Sequence, residues 1–267
     1  MKPKTIDTIK NRNFRVYMLS LTLTRRCNFS CTHCYRGPSQ DFSMAPETLD
    51  AILEEYKSMP IARINLGGGE YCADVAALKM LADVLRDKEI KYGQLAFVSN
   101  GAYPSEEFFY QLNRIGEYSL MGEAWVEVSH DQFHVEQYEQ RGLDLEQCGK
   151  VFLEMAARYP YVKASVRSFM TPREVGIVDI GRARTLEDVF KYPHDEAYKF
   201  YTQEFTDYLS FSEVNGKLML KLINFDAKGN IVPLFLDYES EERQTIGNIH
   251  TSDMTQVYIE HGIDLTE

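Results

Sequence analysis

Between residue 16 and about residue 180, stretches of strand-like period alternate with stretches whose apolar residues recur every three or four positions, and this alternation constrains the fold more than any other feature. "VYMLSLTL" (16–23), "ARINL" (62–66), "QLAFVS" (94–99), "AWVEVS" (124–129), "VKASVRS" (162–168) and "VGIVDI" (175–180) predict six strands. The first helix between them starts at Pro46, which a first turn tolerates, and carries Leu49, Ile52, Leu53 and Tyr56 on one face. Leu78, Leu81, Ala82 and Leu85 mark a second helix, and Phe108, Phe109, Leu112 and Ile115 a third. A long polar-rich helical region ends near Arg158. Repeated strand–helix units build parallel sheets or barrels. Six of them predict an α/β fold, an open partial (β/α)6 TIM-like barrel with its functional loops at the C-terminal ends of the strands. From about residue 205 short strands with turn signals, "VNGK" (214–217) and "DAKGN" (226–230), predict a hairpin-rich C-terminal appendage. The expected division is a core over 1–204 and an appendage over 205–267.

The loop after the first strand, "RRCNFSCTHCYRG", puts Cys27, Cys31 and Cys34 within eight residues. The other cysteines, Cys72 and Cys148, stand alone, so no second pair completes a four-ligand zinc site, and an odd set suits no disulfide framework. Three thiolates on one short loop fit an iron–sulfur cubane with one iron left open. A zinc site borrowing a histidine such as His33 is the alternative reading.

The 267 residues, 44% of them hydrophobic, can bury a large core, and the net charge of −11 repels a polyphosphate backbone, which argues against a long nucleic acid as partner. Small molecules and peptides suit such a surface better. The start, "MKPKTIDTIKNRNF", is basic without an apolar core of signal-peptide length, and no stretch approaches the roughly 18 apolar residues of a membrane span. The expectation is a soluble, cytoplasmic protein with reduced cysteines.

The CxxxCxxC spacing after a first strand resembles the signature of the radical S-adenosylmethionine (SAM) superfamily. The resemblance implies that Cys27, Cys31 and Cys34 hold a [4Fe–4S] cluster. It also implies that SAM chelates the open iron and that an electron from the cluster cleaves SAM to methionine and a 5′-deoxyadenosyl radical, which abstracts hydrogen from substrate. "INLGGGEY" resembles the family's glycine-glycine-glutamate motif. Glycine lets backbone approach a ligand, and Glu70 could accept hydrogen bonds from the SAM ammonium. Tyr35, Gly68, Gly69, Glu70, Ser99, Asn100, Ser129, Asp131, Ser165, Arg167 and Gly181 are the expected cofactor-binding residues. For Ser99, Asn100, Ser129 and Asp131, helix capping is the equal alternative. Ser165 and Arg167 share one face of the fifth strand, and Arg141 is a second candidate clamp for a carboxylate, or a solvated helix-end arginine.

His130 and His134 are candidate proton carriers, against a surface or supporting role. Cys72 is a candidate hydrogen-atom donor, as in some epimerases of the superfamily, against packing; Cys148 reads as core. "IVDIGRA" (177–183) resembles the sixth-strand exit of members that modify peptides. "INFDAKGNIVPLFLDYESEERQTIGNIHTSDM" (223–254) resembles the second half of a SPASM or twitch appendage, but with no cysteine after Cys148 it cannot ligate an auxiliary cluster through thiolates. The expected function is therefore a single-cluster radical SAM enzyme acting on a peptide or protein, supplied with electrons by a flavodoxin or ferredoxin. A radical SAM enzyme for a nucleoside, sugar or other metabolite, and a non-catalytic iron–sulfur protein, are the alternatives.

Overall fold

The computed structural model describes residues 2–168, 177–178, 181–187, 191–192, 209–233, 238 and 244–262. In chain order the first elements are α1 (Pro3–Lys10), β1 (Arg15–Thr24), α2 (Pro46–Tyr56), β2 (Ile61–Gly68), α3 (Val75–Asp87), β3 (Tyr92–Ser99), α4 (Glu106–Gly116), β4 (Ala124–His130), α5 (Gln132–Glu139), α6 (Leu145–Ala156) and β5 (Val162–Ser168). β1 to β5 pair in sequence order, all parallel, as strand–helix units require. The result is the mixed α/β, partial-barrel arrangement of the sequence reading. Leu19, Ile64, Leu95, Ala124 and Val162 stand in register across the five strands and face the helices. The predicted stripes of α2, α3 and α4 are the residues that cover them. Ser20, Asn65, Ala96, Trp125 and Lys163 are the next register row and so point to the opposite, inner face.

The long helical region is two helices. Gly142, at φ +65, turns the chain between α5 and α6, and each restarts on an aspartate. Asp131 accepts the amides of Phe133 and His134, and Asp144 that of Gln147. Helix α1 was not expected from the basic N-terminal stretch. Of the sixth predicted strand, β6 (Ile177–Val178) is described; it pairs in parallel with β7 (Lys191–Tyr192) in a separate two-stranded sheet. The rest of 175–180 and the expected boundary at 204/205 lie outside the described residues.

The C-terminal turns form where expected. β8 (Ser210–Val214) and β9 (Lys217–Phe225) make a hairpin around Asn215 and Gly216, both at positive φ as a two-residue Asn-Gly turn requires. Asp226 caps the next turn by accepting the amides of Lys228 and Asn230, before β10 (Asn230–Ile231) and β11 (Gly247–Asn248). What the turn signals could not convey is that β9 lies parallel along β1, from Arg15↔Met219 to Leu21↔Phe225. The hairpins thus extend the barrel sheet, and β1 becomes an interior strand.

The last helix, α7 (Met254–His261), closes the C-terminal segment on α2. Tyr56 and Tyr258 share a hydroxyl hydrogen bond of 2.8 Å, Tyr258 donates to Glu55, and Arg12 pairs with Glu55 at 2.6 Å. Phe14 and Phe211 meet the Tyr258 ring edge to face. Removing the bridging hydroxyl strands two buried partners, so Tyr258→Phe is expected to cost about 1–3 kcal/mol, read as a lower urea midpoint. An unchanged midpoint would show that the network contributes nothing. No helix among the described residues is long and apolar enough to cross a membrane.

Candidate functional site

The C-terminal ends of β1 and β2 are joined backbone to backbone. Gly69 N donates to Thr24 O and Glu70 N to Arg26 O, both at 2.8 Å, so the cysteine loop and the glycine loop leave the sheet as one unit. Glycine is needed there because a Cβ on Gly69 would stand 1.9 Å from Arg26 O, and one on Gly68, at φ +113, 2.3 Å from Thr24 O. The close approach these glycines permit is to the chain's own backbone. Asp74 ties the same junction from below, accepting from Thr24 Oγ1 at 2.7 Å and from Ser43 Oγ. Gly181, at φ +57, lies against Cys34 O and Tyr35 O, where a Cβ would stand within 2.6 Å of both, and Arg182 N donates to Cys34 O.

The Glu70 side chain turns inward and is 3% exposed. Oε1 accepts from Cys72 N and Ser99 Oγ, both at 2.9 Å, and Oε2 from Asn100 N at 2.6 Å. Glu70 has no ion-pair partner among the described residues, and burial raises its pKa against the pull of these three donors and of the Cys72 thiol. The expected contacts Ser99 and Asn100 thus hold Glu70. Asn100 also donates from Nδ2 to Asn28 Oδ1 at 2.8 Å, in the cysteine loop, while its carbonyl accepts from Tyr138 at 2.7 Å. Cys72 Sγ sits 3.9 Å from Ser99 Oγ, and burial holds its thiol well above the ordinary range.

The three loop thiols lie over an apolar floor of Phe29, Ala102, Phe133 and Tyr138, with Cys148 at its edge. Burial, reinforced by the neighbouring thiols, pushes Cys27 up to about 11 and Cys31 to about 12, while the charge of Arg182 acts the other way. A metal centre must therefore displace protons from these sulfurs. His33, between the second and third cysteines, stacks on Phe133 with ring centroids 4.3 Å apart, and burial lowers its pKa to about 4.

His33, Asp131 and His134 bring potential ligand atoms within 4.8 Å of one another. Asp131 Oδ2 is bonded to His134 Nδ1 at 2.7 Å while Oδ1 caps α5, which satisfies the aspartate, whereas His33 Nδ1 is buried without a hydrogen-bond partner among the described residues. Burial opposes ionisation of Asp131, but the His134 hydrogen bond and charge outweigh it and lower its pKa. His130 is not part of this set. It lines a cavity of about 430 Å³ with Val128, Leu145, Gly149 and Val166, beside α6. Ser129 is buried, whereas Ser165 accepts from Trp125 Nε1 at 3.3 Å and Arg167 pairs with Glu127 at 3.2 Å, on the inner face. Tyr35 lies beneath the Arg36 guanidinium, 5.0 Å from the ring centroid. Asp74, Arg182 and Asn28 were missed by the sequence reading. Thr24 and Asp74 stand fifty positions apart, and only the β1–β2 pairing brings them together.

Residues 21–146 match the model of the radical SAM superfamily. That stretch, just under half of the chain, is a radical SAM region. YydG of Bacillus subtilis (strain 168), named for peptide biosynthesis, is 24% identical over 214 residues, 72% of this chain and 62% of YydG. GTP 3′,8-cyclase 2 of Pseudomonas aeruginosa is 28% identical over 128 residues, 46% of this chain and 36% of the cyclase. The chain thus spans less than two thirds of the length of either relative. Among solved structures, anSMEcpe with bound AdoMet and Cp18Cys peptide has a TM-score of 0.55 at 14% identity, covering 91% of this chain and 80% of that one. Streptococcus suis SuiB bound to precursor peptide SuiA has a TM-score of 0.53 at 12% identity, covering 96% and 67%. At these identities the likeness is one of fold.

The match to the radical SAM superfamily implies a [4Fe–4S] cluster and SAM. The donor set fits them: three thiols on one short loop above an apolar floor, beside a buried carboxylate with no cation against it among the described residues.

Proposed function

We propose that the chain is a radical SAM enzyme that takes hydrogen from a peptide or protein substrate, with Cys27, Cys31 and Cys34 as the ligands of a single cluster and Glu70 as acceptor for the SAM ammonium. When bound, the cluster supplies the electron that cleaves SAM to methionine and a 5′-deoxyadenosyl radical, which abstracts hydrogen from substrate. The observation that carries this reading is Glu70: a carboxylate buried beside the cysteine loop with no cation against it among the described residues is costly, and a cationic ligand offsets that cost. Ser99 and Asn100 orient the carboxylate, and Asp131 fixes His134 with Nε2 turned away from their shared hydrogen bond.

Room for a chain-like substrate lies on the inner face toward β5, where Val98 is 44% and Trp125 38% exposed. The peptide-related name of YydG and the peptides bound by anSMEcpe and SuiB support the same class. The similarity to GTP 3′,8-cyclase 2 favours a second reading, a nucleotide substrate. Flavodoxin or ferredoxin is the proposed electron donor.

The test is anaerobic incubation of dithionite-reduced, reconstituted protein with SAM and a deuterated precursor peptide encoded beside its gene. Release of 5′-deoxyadenosine carrying deuterium is the expected result. Deuterium arriving only from labelled GTP would move the assignment to nucleotides, and failure of cluster-loaded protein to cleave SAM would leave a non-catalytic iron–sulfur protein.

A further inference from the structure

The backbone between the first two thiolates, Asn28 to Ser30, is gripped from outside the cysteine loop. Arg141 Nη2 donates to Asn28 O at 2.8 Å, and its guanidinium lies 4.6 Å from the Phe29 ring centroid. Gln137, buried in α5, accepts from Ser30 N at 2.8 Å through Oε1, and the same oxygen and its carbonyl accept from Arg141 Nη1, each at 3.0 Å. Phe29 meets Tyr138 edge to face at 5.2 Å, and Tyr138 donates to Asn100 O. Asn28 is held from its other side by Asn100, whose amide reaches Glu70. Three successive loop residues thus have partners more than seventy positions away, all on α5, the turn after it or the β3 exit.

We propose that Arg141, seated on Gln137, is a positioning residue that forms the loop between the first two thiolates before any cluster binds. A short loop wrapping three corners of a cluster must adopt one backbone path, and a loop already on that path loses less conformational entropy when the iron arrives. Arginine suits the position because its planar fork reaches two carbonyls and an amide oxygen while its face covers an aromatic ring. This replaces the expectation that Arg141 clamps a substrate carboxylate or is a solvated helix end: its donors are turned to the loop. The consequence for cluster retention rests on the radical SAM reading, whereas the preformed loop is a property of the cluster-free chain.

The experiment is hydrogen exchange of the full-length, cluster-free protein, followed over the peptide containing residues 26–34. Wild type is expected to protect the Ser30 amide. Arg141→Ala is expected to speed exchange there about tenfold, the effect of one or two hydrogen bonds, with exchange in α2 to α4 unchanged. Arg141→Lys, which can still reach Asn28 O, should restore part of the protection. In reconstituted protein Arg141→Ala should lose iron to a chelator about tenfold faster and show an altered electron paramagnetic resonance signal when reduced. Should Arg141→Ala fold poorly, Gln137→Met removes the Ser30 acceptor and serves in its place. A wild-type loop exchanging as fast as an unstructured peptide, or equal exchange in wild type and the folded variants, overturns the proposal. A protected loop in protein that takes up no iron would instead retain the positioning role and refute the cluster reading.

Discussion

Anaerobically reconstituted wild type is expected to hold about four irons per chain, and the Cys27→Ala/Cys31→Ala/Cys34→Ala variant none. The effect should be all or nothing because no other thiol can substitute. Cys72 is tied into the Glu70 and Ser99 cluster, Cys148 packs at the edge of the apolar floor, and the tail contains no cysteine. Each single substitution should remove most of the iron too, since two thiolates leave half a cubane without protein ligands. Iron analysis and the visible absorption of the cluster provide the measurement. Iron retained by the triple variant would point to ligands such as His250 or His261, and stoichiometric zinc in protein made anaerobically with excess iron would replace the cluster assignment. Two distinct cluster signals in the reduced enzyme would contradict a single centre.

The second large effect is expected at Glu70, and the structure changes which substitution reports it. Glu70→Ala would strand Cys72 N, Asn100 N and Ser99 Oγ in a buried site, so it should lower stability as well as SAM binding. Glu70→Gln keeps the shape and one acceptor oxygen but brings an amide donor against the other partners. A charge-assisted hydrogen bond contributes about 1.5–3 kcal/mol, so Glu70→Gln should weaken SAM binding about tenfold to a hundredfold while leaving the iron content unchanged. Titration of SAM into wild type and variant matched for iron decides this. Equal affinities would remove Glu70 from the SAM site, and loss of iron alongside affinity would mean that its main role is to hold the two loops together.

Some of this was legible because it depends on neighbours in sequence. The helix stripes of α2, α3 and α4, the parallel strands β1 to β5, the Asn-Gly hairpin and the three-thiol loop follow from period, turn chemistry and spacing, which act over a few residues. Likewise the identity of Glu70 as the carboxylate at the β2 exit required no coordinates. Its surroundings did: Ser99 and Asn100 are polar strand-end residues whose sequence context is equally that of a cap, a ligand contact or a support, and only the β2–β3 pairing turns them onto the carboxylate.

The same limit explains the larger misses. Gly142 splits one predicted helical region because a single positive φ breaks a periodicity that otherwise continues. β9 joins β1 across almost two hundred residues, and nothing in β1's own pattern of Leu19, Leu21 and Leu23 against Ser20, Thr22 and Thr24 says which strand covers its free edge. His130 and His134 are equivalent as sequence, yet the α5 cap turns His134 to Asp131 while the strand pleat leaves His130 beside α6. By itself, the sequence determined the resemblance to the radical SAM superfamily, the strand–helix order and the three thiols, all set by short-range spacing. The tertiary structure alone decided which long-range partners hold the loop and bury Glu70, because backbone hydrogen bonds, packing and burial depend on distance in space, which the covalent order leaves open.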